Sequence, residues 1–191
     1  MHAEAVLALL EETGALLNGH FELRSGLHSG RFFQCAHALK HPEIAARLCG
    51  ELAARVAHGL GAAPPVDSVI APALGGLIVG HELARALGTP FVFTEKVDNR
   101  LHMRRFAIGE GERYIVAEDV ITRGGRVRET VDIVCGAGGT IAGIAAIVDR
   151  SGGKALFDYP LYSLVEMEPI TYEPADCPLC RQGIPLVHPG S

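Results

Sequence analysis

Apolar positions along the chain follow two alternating rhythms. Over residues 2–17, Val6, Leu9, Leu10 and Leu17 recur at roughly helical spacing, which predicts an amphipathic helix. Pro42 stands where proline opens a helix; Ile44, Leu48, Leu52 and Val56 then repeat every fourth residue, and Gly59 or Gly61 ends the run. Ser68–Ala71 is a short apolar run between turn residues and reads as a buried strand, and residues 76–87 read as a helix stopped by Gly88. Phe91–Thr94, Arg113–Ala117 and Thr140–Val148 are further strands, with a helix at 126–136 between the last two. Such alternation predicts βαβ units, hence an α/β fold with a mainly parallel sheet and helices on both faces. The polar stretch 94–112 and the tail from about 158 fall outside this rhythm.

Composition narrows the class. A chain of 191 residues, 48% hydrophobic and 20% charged, suits one soluble globular domain. A net charge of −5 argues against nucleic-acid binding, which rests on neutralising phosphates with Lys and Arg. No apolar run is long enough to span a membrane, and Met1-His2-Ala3-Glu4 has no basic signal region, so no membrane is expected as partner and the location reads as cytoplasmic. Five cysteines, an odd number, disfavour a disulfide framework. Cys35, Cys49 and Cys135 lie in apolar surroundings and read as core. Cys177 and Cys180 form a CxxC, which offers two of the four ligands of a structural zinc. It reads as reduced thiols in a surface turn or an occasional disulfide, ahead of two pairs sharing a metal across a dimer.

The chemistry concentrates in Arg113–Arg126. A hydrophobic strand runs into Glu118-Asp119, then Val120, Ile121, Thr122, Arg123, Gly124, Gly125 and Arg126 open a helix. Backbone N–H groups at such a helix start bind an anion, and the glycines let a phosphate come close. Adjacent carboxylates repel a polyphosphate but accept well from the two hydroxyls of a ribose, and they stabilise positive charge at its anomeric carbon. The GxxxxGK loop of nucleoside triphosphatases and the dinucleotide GxGxxG are absent.

This run resembles the phosphoribosyl-diphosphate (PRPP) motif of the type I phosphoribosyltransferases. The resemblance implies that family's fold: a central mainly parallel sheet flanked by helices, with a small hood made by N- and C-terminal segments. It further implies that Glu118 and Asp119 hold the ribose hydroxyls while residues 120–126 cradle the 5′-phosphate. We expect one domain over 1–191, with a core of about 42–150 and a hood from about 15–40 and 158–191. Ala71-Pro-Ala-Leu-Gly-Gly76 matches the family's pyrophosphate loop, so Ala73 and Gly75 are expected at the diphosphate. Many orotate enzymes carry Lys where Gly75 stands, and Arg104 or Arg105 is expected to share that task.

Phe21–Phe33, with Arg24-Ser25-Gly26 and the aromatic pair Phe32-Phe33, resembles the orotate-using branch of the family. The branch implies orotate contacts from Arg24, Ser25, Gly26, Phe32, Phe33, Thr122 and Arg150, a planar carboxylate-bearing ring suiting aromatic walls and guanidinium groups. In 94–105, Lys96, Arg100, His102, Arg104 and Arg105 cluster on a net acidic chain and call for an anion. By resemblance this is a mobile loop lent across a homodimer, with Lys96, Arg100, His102 and Asp119 catalytic and Lys96 and Arg104 on PRPP. The implied cofactor is Mg²⁺, bound mainly through PRPP with Glu118 and Asp119 nearby. A tail with CPLC followed by Gly-x-Pro occurs in the same branch. Two rival readings remain, a purine-base transferase and a non-catalytic PRPP-sensing regulator of the same fold.

Overall fold

The computed structural model describes residues 1–23, 25–168 and 170–189. Helix α1 (Ala3–Glu12) is followed by strands β1 (Leu16–Glu22) and β2 (His28–Phe33), then helices α2 (Ala36–Leu39) and α3 (Pro42–Leu60). The α/β alternation follows as β3 (Ser68–Pro72), α4 (Gly76–Leu87), β4 (Phe91–Val97), β5 (Arg100–His102), β6 (Arg113–Ile121), α5 (Gly125–Gly136) and β7 (Thr140–Asp149). Strands β8 (Leu161–Glu166) and β9 (Thr171–Tyr172) and the short helix α6 (Pro178–Arg181) complete the chain. Among the described residues the strands form a six-stranded sheet, β5-β4-β3-β6-β7-β8, and a three-stranded sheet, β1-β2-β9. Within the large sheet only β5 runs antiparallel to its neighbour.

Strand alternation divides the core between the two faces of that sheet. On β6, Ile115 and Ala117 join Leu48 and Leu52 of α3 and Val79 and Leu83 of α4. Tyr114 and Val116, one residue out of step, join Val127 and Val134 of α5. At the strand's end Asp119 lies against Gly75, just ahead of α4, while Glu118 lines the cavity at the start of α5. The two acids thus straddle the carboxyl edge of β6, where open parallel sheets bind ligands.

Four expectations change. The helix predicted over 2–17 stops at Glu12, because Thr13 turns its hydroxyl back onto the Leu9 carbonyl (2.9 Å) and Gly14 turns left-handed (φ 71°). Leu16 and Leu17 therefore alternate on β1, buried and exposed. Part of 94–112 is a regular hairpin: Asp98 (φ 47°) and Asn99 (φ 66°) form the two-residue turn that matches strand twist. The tail re-enters the main sheet, β8 lying parallel to β7, before β9 joins β2. Cys135 is exposed on α5 rather than core, whereas Cys35 and Cys49 are buried.

Candidate active site

The cavity at the end of β6 holds about 420 Å³ and is lined by Glu118, Val120, Ile121, Thr122, Gly124, Gly125 and Arg126. Gly124 caps α5 in a left-handed conformation (φ 72°), and a side chain there would meet the Phe157 ring at 2.6 Å. Only glycine lets the loop pass that ring and present the first-turn N–H groups of α5 to the cavity. Arg123 is exposed and outside the lining, its carbonyl accepting from Arg128 Nη1 at 2.6 Å.

The acid pair is buried and strongly coupled. Burial, then repulsion by Asp119, pushes the Glu118 carboxyl well above its ordinary value, and burial raises Asp119 too. The Asp119 N–H donates to Glu118 Oε1 (3.1 Å) and the Val120 N–H to Asp119 Oδ1 (2.8 Å). Neither carboxylate has an ion-pair partner among the described residues. Beneath them lies Cys35, its thiol raised mainly by burial and further by the two acids. Gly75 closes the site from the β3–α4 loop: a Cβ on it would lie 2.8 Å from Asp119 Oδ1 and 3.3 Å from Glu118 Oε1. Ala73, in the same loop, is tied to the main sheet by its N–H to the Thr94 carbonyl (2.9 Å).

Hairpin β4–β5 docks on the first turn of α5. Arg126 Nη1 donates to the Asn99 carbonyl (3.0 Å) and to Glu129 Oε2 (2.7 Å), while Glu129 Oε1 accepts the Leu101 N–H (2.6 Å). Arg126, expected to face a phosphate, is therefore engaged with the hairpin. Glu129, the brace, escaped the sequence reading; its one signal is its i,i+3 spacing from Arg126. Cross-strand partners share a face, so Lys96 lies with Leu101, while Arg100 and His102 lie with Val97 and Glu95 on the other. Lys96, Arg100 and His102 are thus not brought together on one face. Arg104 (3.7 Å) and Arg105 both pair with Glu95.

A second cavity, of about 280 Å³, opens beneath the small sheet, with Phe33, Arg150, Ser29, Ile170, Tyr172 and Leu179 among its walls. The Arg150 guanidinium sits 5.8 Å over the Phe33 ring, and burial lowers its pKa. No carboxylate pairs with it among the described residues. Its backbone N–H donates to the Ile121 carbonyl (2.8 Å), which joins this cavity to the one at the end of β6. Phe32, one residue from Phe33, faces the other way and packs on Phe21 at 5.8 Å. Ser25 and Gly26 form the β1–β2 turn, the Gly26 N–H donating to Leu23, and line neither cavity. Arg24 lies outside the described residues.

A glycine loop behind two acids on a parallel sheet defines a class, and residues 36–180 match the family model described as the phosphoribosyl transferase domain. Solved structures of this fold resemble the chain: an orotate phosphoribosyltransferase from Aeropyrum pernix (23% identity, TM-score 0.64, 84% of this chain and 93% of that one) and an adenine phosphoribosyltransferase from Rhodothermus marinus (22%, 0.65, 86% and 99%). They establish the fold and leave the base open. Sequence relatives are more specific. Proteins named orotate phosphoribosyltransferase from Pelotomaculum thermopropionicum (48% identical) and Caldicellulosiruptor bescii (46%) each align over 100% of this chain and 98% of their own length. The chain belongs to the orotate phosphoribosyltransferase family.

Proposed function

We propose that this chain transfers the 5-phosphoribosyl group of PRPP to orotate, giving orotidine 5′-monophosphate and pyrophosphate, a step in making pyrimidine nucleotides. The observation that carries the base assignment is Arg150, a half-buried guanidinium stacked on Phe33, without a carboxylate partner among the described residues and bonded through its backbone to the phosphate loop. A planar, anionic ring fits that cavity: Phe33 offers it an apolar wall and Arg150 a fork of donors. Adenine has no carboxylate to place there.

The α5 N-terminus with Thr122, Gly124 and Gly125 takes the 5′-phosphate, and Glu118 and Asp119 take the ribose hydroxyls. Orotate N1, having given up its proton, forms a bond to C1′ as the C1′–O bond to pyrophosphate breaks and its electron pair leaves with the diphosphate. Positive charge building on the sugar is stabilised by the two carboxylates. Lys96 and Ala73–Gly75 face the leaving group, and closure of the hairpin excludes the water that would otherwise capture C1′. Two buried carboxylates without an ion-pair partner among the described residues are the hard oxygen donors Mg²⁺ favours, so the pair fits that ion beside PRPP. When bound with the diphosphate, Mg²⁺ supplies neutralisation of the leaving group's charge.

We further read the protein as a single-domain enzyme whose small sheet forms the hood, working as a homodimer that shares the hairpin. Five free thiols suit the reducing cytoplasm. The test follows orotate absorbance with PRPP and Mg²⁺: loss of orotate that requires both supports the assignment. PRPP turnover with adenine or guanine but not orotate overturns it, and binding of PRPP without turnover of any base favours a sensor.

A further inference from the structure

Outside the walls of both cavities, four ligating atoms converge from distant parts of the sequence. His20 lies on β1, His28 on β2, Cys177 caps α6 and Cys180 lies within it. Their four ligand atoms all fall within 4.8 Å of one another. His20 Nε2 is 2.9 Å from His28 Nδ1, Cys177 Sγ 3.5 Å and Cys180 Sγ 3.7 Å from His20 Nε2, and Cys180 Sγ 3.3 Å from His28 Nδ1. A tetrahedral zinc ion, with bonds of about 2.0–2.1 Å to nitrogen and 2.3 Å to sulfur, sets its ligands about 3.4 Å apart for N–N and about 3.6 Å for N–S. These four separations lie within about half an ångström of those edges, and no pair of the four atoms is more than 4.8 Å apart.

The surroundings complete the argument. His20 Nδ1 lies 2.8 Å from the Ile184 carbonyl, so that nitrogen carries the ring proton and Nε2 turns its lone pair to the cluster. His20, His28 and Cys177 are buried, while Cys180 is exposed at the rim and gives a route of entry. A single shared proton satisfies one histidine–histidine contact and leaves the sulfurs with weak partners. One divalent cation satisfies all four groups. Two thiolates and two neutral imidazoles also cancel its charge, so the buried site has no net charge to solvate.

We propose that His20, His28, Cys177 and Cys180 form a closed tetrahedral Cys₂His₂ site for Zn²⁺. Binding releases the two thiol protons and forms two Zn–S and two Zn–N bonds within a single subunit. With all four positions taken by protein, the ion is structural, not catalytic. It clips the N-terminal hairpin to the C-terminal segment, where Val187 donates to His20 O (2.8 Å), Glu22 donates to Val187 O (3.0 Å) and Ser29 Oγ donates to Ile170 O (3.1 Å). Leu179, between the two cysteines, and Ser29, beside His28, both line the cavity that holds Arg150. The clip thus fixes one wall of the proposed base site.

The full chain, purified from zinc-supplemented medium, should carry one zinc per chain by elemental analysis, and Cys180→Ser should lose it. Protein grown with cobalt instead should show the visible bands of tetrahedral Co²⁺ together with thiolate-to-metal charge transfer. That spectrum reports sulfur ligands without any substitution, so a variant that fails to fold does not decide the matter. Zinc at blank level in the wild type, zinc retained undiminished by a folded Cys180→Ser, a cobalt spectrum without thiolate bands, or a Cys177–Cys180 disulfide in the isolated protein would each overturn the site. None of these readouts depends on which base the enzyme uses.

Discussion

Replacing Gly75 with alanine tests the acid pair with a single methyl group. Gly75 has an ordinary helical φ of −54°, so alanine adds bulk without backbone strain. Its Cβ would sit 2.8 Å from Asp119 Oδ1, whereas ordinary contact starts at 3.4 Å, so that oxygen must retreat by about 0.6 Å (3.4 − 2.8). Asp119 Oδ1 already accepts the Val120 N–H, so the retreat pulls the carboxylate off its backbone anchor as well as off a ribose hydroxyl. Losing one hydrogen bond to a charged group costs about 1.5–3 kcal/mol, or roughly 10- to 150-fold in PRPP affinity. Only side-chain ends must yield, so the melting temperature should fall by no more than about 2–4 °C. Titration calorimetry with PRPP and Mg²⁺, beside a thermal melt, reads both quantities. PRPP binding within twofold of wild type in a folded Gly75→Ala would refute the claim that these carboxylates grip the sugar.

Three further outcomes follow from the same geometry. Glu118→Gln should lower kcat/KM by about 10²–10³-fold while stabilising the fold. With its folded value raised above the ordinary 4.5, Glu118 binds more protons folded than unfolded, so wild-type stability drops as pH rises through that window; Gln has no proton to lose, and melts from pH 4 to 8 should show the variant's advantage growing with pH. Arg150→Ala should raise the KM for orotate about 10- to 100-fold with little effect on PRPP, and Arg150→Lys should not restore it, because an ammonium neither forks onto a carboxylate nor stacks on Phe33; equal KM values in steady-state assays would remove Arg150 from the base site. Lys96→Ala should reduce kcat far more than it raises the KM for orotate, and unchanged kcat would exclude Lys96 from the chemistry.

Much of this was legible before any coordinates, for identifiable reasons. Helices α3 and α4 announce themselves because periodicity, Pro42 and Gly88 agree, and the phosphate loop because its residues are contiguous. What escaped depends on contacts between distant segments. Leu17 continues a helical rhythm, yet Gly14 in the left-handed region and pairing with Phe32 place it on a strand. Phe32 and Phe33 look like one aromatic platform until strand alternation sends them to opposite faces. The CxxC offered two ligands in sequence; its partners His20 and His28 lie 149 to 160 residues away, and only the pairing of β1 with β2 sets them side by side.

The hairpin's two faces make the sharpest demand on the proposed dimer. Lys96, itself exposed, shares its face with Leu101, which is 4% exposed and packs into its own subunit. Arg100 and His102 turn the other way and are exposed. If the hairpin serves two active sites, Lys96 belongs to its own and His102 to the neighbour's. Mixing inactive variants separates these assignments. In a hybrid of His102→Ala with Glu118→Gln, the site that keeps Glu118 receives an intact His102 from the other subunit. Random mixing makes half the dimers hybrid, each with one good site in two, so activity should return to about a quarter of wild type. Lys96→Ala mixed with Glu118→Gln should recover nothing, since each site then carries one lesion. Rescue in both mixtures would mean the hairpin crosses as a unit, against the face argument; rescue in neither would mean that each subunit completes its own site.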